Sequence, residues 1–147
     1  MDASLNHAYT MVFPILAGPY ESRGELRRMK RILVADPDVA RSAVLQWLLE
    51  AEGHQVQKAH SYWTVLEEAG FGGYDLTIVS HQETRFNALR LIAGLTKLKP
   101  GMPVILIHSD QTGEVSRQAS RLGVWDCYGK PIDYERIQKY VRGLPEQ

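Results

Sequence analysis

From Lys30 onward the chain alternates short apolar runs with segments of helical period, five times over, and this pattern restricts its fold more than any other feature. Arg31-Ile32-Leu33-Val34-Ala35, Leu76-Thr77-Ile78-Val79 and Val104-Ile105-Leu106-Ile107 are near-continuous apolar stretches. Such stretches suit central parallel strands, which helices cover on both faces. His54 to Ala59 is more polar and predicts an edge strand, and a fifth short strand is expected near Val124 to Tyr128. Asp38 can cap a helix running to about Glu52, with Val44, Leu45, Leu48 and Leu49 on one face, Trp47 beside it, and Gly53 closing it. Ser61 caps a second helix through Ala69. Asn87 to Leu98 carries Leu91, Ile92, Leu95 and Leu98 at helical spacing, and further helices fall at Glu114–Leu122 and around Tyr134, Ile137, Val141 and Leu144. Crossovers this short imply an α/β fold: a doubly wound, right-handed, five-stranded parallel sheet with five helices.

Length and charge narrow the function. The 147 residues suffice for one self-supporting core. Seventeen basic residues balance seventeen acidic ones, which argues against a domain that binds nucleic acid through a basic surface. The single cysteine, Cys127, excludes an internal disulfide and a cysteine zinc site. No apolar run approaches the ~20 residues of a membrane span, and a cytoplasmic protein is the expectation. Residues 1–29 have no sustained period and lack a basic residue ahead of their apolar run, Met11 to Pro19, so they do not read as a signal peptide. They are expected to be a dispensable tail ahead of a domain spanning 30–147.

In open parallel sheets, function gathers beyond the carboxyl ends of the strands. Those positions hold Asp36, Pro37 and Asp38, then Ser80 and His81, then His108 and Ser109, then Lys130 and Pro131. With Tyr74-Asp75-Leu76-Thr77-Ile78-Val79, Pro103-Val104-Ile105-Leu106-Ile107 and Gly123-Val124-Trp125-Asp126-Cys127-Tyr128-Gly129-Lys130-Pro131, these segments resemble the receiver domains of two-component response regulators from Lys30 to about Leu144. The resemblance implies the flavodoxin-like sheet order 2-1-3-4-5 of the chemotaxis response regulator. It also implies a phosphoryl group moved from a histidine kinase to an aspartate at the end of strand three. Two acids after strand one would hold Mg²⁺, a hydroxyl residue would end strand four, and a lysine would end strand five.

Carried across, the pattern is broken. The first acid matches Asp36, but the second matches Pro37, which offers no ligand. The acceptor matches Ser80, the hydroxyl position His108, the lysine Lys130 and the strand-five aromatic Cys127. A one-residue shift would place Ser109 at the hydroxyl position, but it would reverse which face each residue of strand four meets. A serine forms no acyl phosphate and needs a base to attack. A Mg²⁺ site short of two carboxylates is expected to be weak or absent, leaving no cofactor. These departures predict a degenerate receiver, not an enzyme, acting as a phosphorylation-independent interaction module. Its partner would be a regulatory protein, an effector domain or a second copy; no nucleic acid and no membrane is implied. The rival is a working phosphorelay receiver with a non-standard acceptor.

Asp36 and Lys130 are expected to form an ion pair, with a vestigial ion site as the alternative. Lys130-Pro131 matches a cis peptide in the resembled family. Ser80, His108 and Asp36 do not make a hydrolase triad, because strand order 1-3-4 puts the serine between the acid and the histidine. Trp125, Tyr128, Tyr134 and Tyr140 are candidates for an aromatic contact patch on the helix four, strand five, helix five face, which would also serve a homodimer.

Overall fold

The computed structural model describes residues 29–82 and 86–145, and the reading of residues 1–28 as a tail lies outside them. Five strands, β1 (Arg31–Ala35), β2 (Gln55–Ala59), β3 (Leu76–Ser80), β4 (Val104–His108) and β5 (Asp126–Gly129), form one parallel sheet in the order β2-β1-β3-β4-β5. Five helices connect and follow them: α1 (Val39–Ala51), α2 (Tyr62–Phe71), α3 (Ala88–Leu98), α4 (Glu114–Leu122) and α5 (Tyr134–Arg142). The expected fold class and strand order are therefore observed.

Strand alternation sorts the core into two layers. Ile32, Val34, Leu76, Ile78, Ile105, Ile107 and Tyr128 meet Leu45 and Leu49 of α1 and Ile137 and Val141 of α5. Leu33, Ala35, Val79, Val104 and Leu106 meet Val65 and Ala69 of α2, four residues of α3 including Leu91 and Leu95, and Val115 and Ala119 of α4. β3 and β4 are buried throughout, which explains their mostly apolar sequence.

Local chemistry sets the helix starts. The side chains of Asp38, Ser61, Asn87 and Asp133 accept backbone N–H groups from the first turns of α1, α2, α3 and α5. Gly53 takes a φ of 94° just past α1, a conformation costly for any side chain. Differences from expectation are local. Val44 and Trp47 are exposed, because α1 turns Ser42, Leu45 and Leu49 to the sheet. β5 begins at Asp126 instead of Val124, although Trp125 N–H already bonds Val104 O.

Candidate functional site

The carboxyl ends of β1, β3, β4 and β5 bring together Asp36, Ser80, His108 and Lys130. Asp36 directly follows β1 and is 4% exposed. Its partner is Arg41, on the first turn of α1. Arg41 Nε donates to Oδ2 and Nη2 to Oδ1, both at 2.7 Å. Oδ1 also accepts the Asp38 amide at 2.8 Å. Asp38 Oδ1 caps α1 by accepting Arg41 N–H at 3.0 Å, and Asp38 Oδ2 lies 3.8 Å from Arg41 Nη1. The turn thus folds its own cation back onto the strand-end acid. The hydrogen bond to Asp36 outweighs burial and raises the Arg41 pKa, so the guanidinium stays charged.

The expected Asp36–Lys130 pair is not formed. Lys130 leaves the sheet from β5, with β3 and β4 lying between β5 and β1, whereas Arg41 is five residues from Asp36. Burial lowers the Lys130 pKa most, and the positive charge of Arg41 lowers it further against the pull of Asp36 and Asp38. The Lys130–Pro131 peptide is cis.

Ser80 ends β3 with its Oγ buried and without a hydrogen-bond partner. Next to it, His81 Nδ1 accepts the Ala88 amide at 3.0 Å and ties the strand end to α3. His108 is buried at the end of β4, while Ser109 is exposed, so the structure keeps the histidine at the inward position. His108 Nδ1 accepts the Asp110 amide at 3.1 Å, which leaves the ring proton on Nε2. Nε2 lies 3.1 Å from Ser116 Oγ, and that hydroxyl lies 3.4 Å from Cys127 Sγ. A polar chain thereby links β4, α4 and β5 behind the crevice. Burial pushes the Cys127 thiol pKa up, the Ser116 contact opposes this, and the Asp126 charge adds to it. Neither Arg41 nor Ser116 was singled out from sequence. The signal for Arg41 was its place in the first turn after a capping aspartate.

The aromatic candidates separate. Tyr128 is 5% exposed and belongs to the core against α1 and α5, not to a docking face. Tyr140 packs edge-on to it at 6.4 Å, and the Arg136 guanidinium lies 4.4 Å from the Tyr128 ring centroid. Tyr134 and Tyr140 are half-buried against the same layer, and Trp125 is 51% exposed. Strand alternation causes this: Tyr128 and Cys127 point to opposite faces of the sheet.

Among the described residues there is no group of three or more His, Cys, Asp or Glu side chains arranged to hold a metal ion, and no helix is long and apolar enough to cross a membrane. Residues 32–142 match the family model for the response regulator receiver domain. The chain is 27% identical over 108 residues to the transcriptional regulatory protein ZraR of Salmonella typhimurium, covering 74% of this chain and 24% of the relative. It is 30% identical over 116 residues to the DNA-binding transcriptional regulator NtrC of a Bradyrhizobium strain, covering 78% of this chain and 24% of that protein. It therefore spans about a quarter of the length of these relatives. Among solved structures, it superposes with a TM-score of 0.69 and 26% identity on a response regulator protein from Burkholderia pseudomallei that carries a phosphorylated aspartic acid, a calcium ion and citrate. That match covers 76% of this chain and 66% of the other.

Proposed function

The chain belongs to the response regulator receiver family, and from that premise we propose that it is a degenerate receiver. It signals by docking to a regulatory protein or an effector domain and takes up no phosphate. The Asp36–Arg41 pair carries this reading. Both carboxylate oxygens already accept charge-assisted hydrogen bonds, and one accepts a backbone amide as well. The guanidinium supplies, from within the chain, the positive charge that a divalent cation would bring.

The remaining donors do not fit a hard cation, which needs about six oxygen ligands. Pro37 offers no side-chain oxygen, and Ser80 offers a neutral hydroxyl. Ser80 is also a poor acceptor. Its Oγ has no hydrogen-bond partner, so no base stands ready to take its proton. The His108–Ser116–Cys127 chain supports the same reading by holding β4, α4 and β5 in one arrangement.

The test is incubation of the protein with Mg²⁺ and acetyl phosphate, and separately with beryllofluoride, followed by intact mass and amide NMR. The expected result is no added phosphoryl mass and no shift at Ser80 or Lys130. A stable phosphoryl adduct on any residue of the crevice overturns the proposal.

A further inference from the structure

α2 and α3 lie side by side on one face of the sheet, and a groove of ≈ 690 Å³ runs between them. Trp63, Leu66 and Glu67 line it from α2, and Gly94, Lys97 and Leu98 from α3. Trp63 is 74% exposed and Leu98 45%. Phe71, 88% exposed, continues the α2 stripe at the i, i+4, i+8 spacing of Trp63 and Glu67. Trp63 packs edge-on against Tyr62 at 5.0 Å, so this ring is held in place although it faces solvent. Aromatic side chains so placed are characteristic of interface cores.

Each of the two helices carries a glycine near the groove, Gly70 close to the end of α2 and Gly94 inside α3. A Cβ at Gly94 would come within 3.3 Å of Leu66, and one at Gly70 within 3.7 Å of Leu98. Glycine inside a helix costs roughly 0.5–1 kcal/mol relative to alanine. Here that cost coincides with an open apolar trough.

The charges along the trough identify what fills it. Glu67 stands on one wall and Lys97 on the other, and neither forms an ion pair or side-chain hydrogen bond among the described residues. The two glycine contacts set the helix register: Leu66 is level with Gly94 and Gly70 with Leu98. Glu67 and Lys97 are therefore offset by two residues, about 3 Å along the axis. We propose that this trough is the interface through which two copies of the chain dimerise, with α2 of each laid over α3 of the other. A two-fold axis parallel to the helices carries Glu67 over Lys97 of the partner and Lys97 over Glu67 of the partner, while the apolar Trp63 and Leu98 side chains flank these charged pairs, one toward each end of the trough. Such a face is complementary to itself, as an isologous contact requires. A uniformly acidic or basic partner would meet one wall favourably and the other unfavourably. The dimer does not depend on how the crevice signals: a phosphoryl adduct would overturn the proposed function and leave this interface standing.

The test is sedimentation velocity of the full chain across a concentration series. The wild type is expected to dimerise reversibly. Glu67→Lys and Lys97→Glu alone each set like charges opposite one another and weaken the dimer about tenfold or more. An equimolar mixture of the two variants pairs opposite charges at both contacts, and so does the Glu67→Lys/Lys97→Glu double variant; both are expected to recover the dimer. Trp63→Ala, at an exposed position that leaves the fold intact by circular dichroism, is expected to abolish it. A wild type that stays monomeric at its highest attainable concentration overturns the proposal, as does a dimer indifferent to all four changes. A monomer whose trough binds some other protein overturns it equally.

Discussion

Arg41 holds Asp36 with two parallel hydrogen bonds of 2.7 Å, so the one acid retained directly after β1 is neutralised from within its own βα turn. The pair is partly buried, with Asp36 more enclosed than Arg41. It is a structural contact whose energetics can be measured.

Arg41→Ala leaves a buried carboxylate without its hydrogen-bonded counter-charge. We expect a loss of about 3 kcal/mol in unfolding free energy, the range seen when one partner of a buried pair is removed. Asp36→Asn/Arg41→Ala should cost less than the sum of the two single changes, because the double variant strands no charge. Urea unfolding of the four proteins gives the coupling directly. Strict additivity would mean that the two side chains do not stabilise each other.

On the proposed reading, a cation site requires new ligands and removal of the internal cation. Pro37→Asp/Ser80→Asp supplies the two missing carboxylates, and adding Arg41→Ala frees the oxygens of Asp36. Calorimetric titration with Mg²⁺ should show binding by the triple variant that is stronger than by the double variant and stronger than any shown by the wild type. If the triple variant releases no heat of binding, the crevice differs from a cation site in more than these three side chains.

His54 couples stability to pH. It is buried at the start of β2, and its Nδ1 accepts the Lys30 amide at 3.1 Å. Burial lowers its pKa, with Glu52 pulling up and Lys30 and Arg142 pushing down. A base with a depressed folded pKa binds its proton more readily when unfolded, so its contribution is full above the ordinary value of 6.5. That contribution is lost as pH falls through 6.5 toward the lower folded value. Stability should drop between pH 7 and 5, and His54→Gln should flatten this part of the profile. An unchanged slope in the variant would place the dependence elsewhere.

Burial raises the Cys127 pKa, and the Ser116 contact is the main effect opposing it. Alkylation by iodoacetamide at neutral pH should be slower than for an exposed cysteine, because the thiolate is the reactive form. Ser116→Ala removes a contact that favours the thiolate and should slow the reaction further. Faster modification of the wild type than of an unfolded control would contradict the assigned environment.

The sheet order came with the resemblance to receiver domains, while the strands and two of the helix caps were legible in the sequence itself, because each depends on local pattern: near-continuous apolar runs for β1, β3 and β4, and Asp38 and Ser61 as N-caps. So were the positions where the receiver pattern fails. Pro37 has no oxygen to offer and Ser80 no carboxylate in any conformation. What only the tertiary structure decided was which groups meet. Asp36 turned to Arg41 and not to Lys130 because the β1–α1 turn brings a guanidinium within reach, while β5 lies across two intervening strands. Tyr128 entered the core and Cys127 met Ser116 because the facing of β5 residues is set by pairing with β4. Composition fixes what a side chain can do; the packing of distant segments fixes what it does it to, and no local pattern encodes that distance.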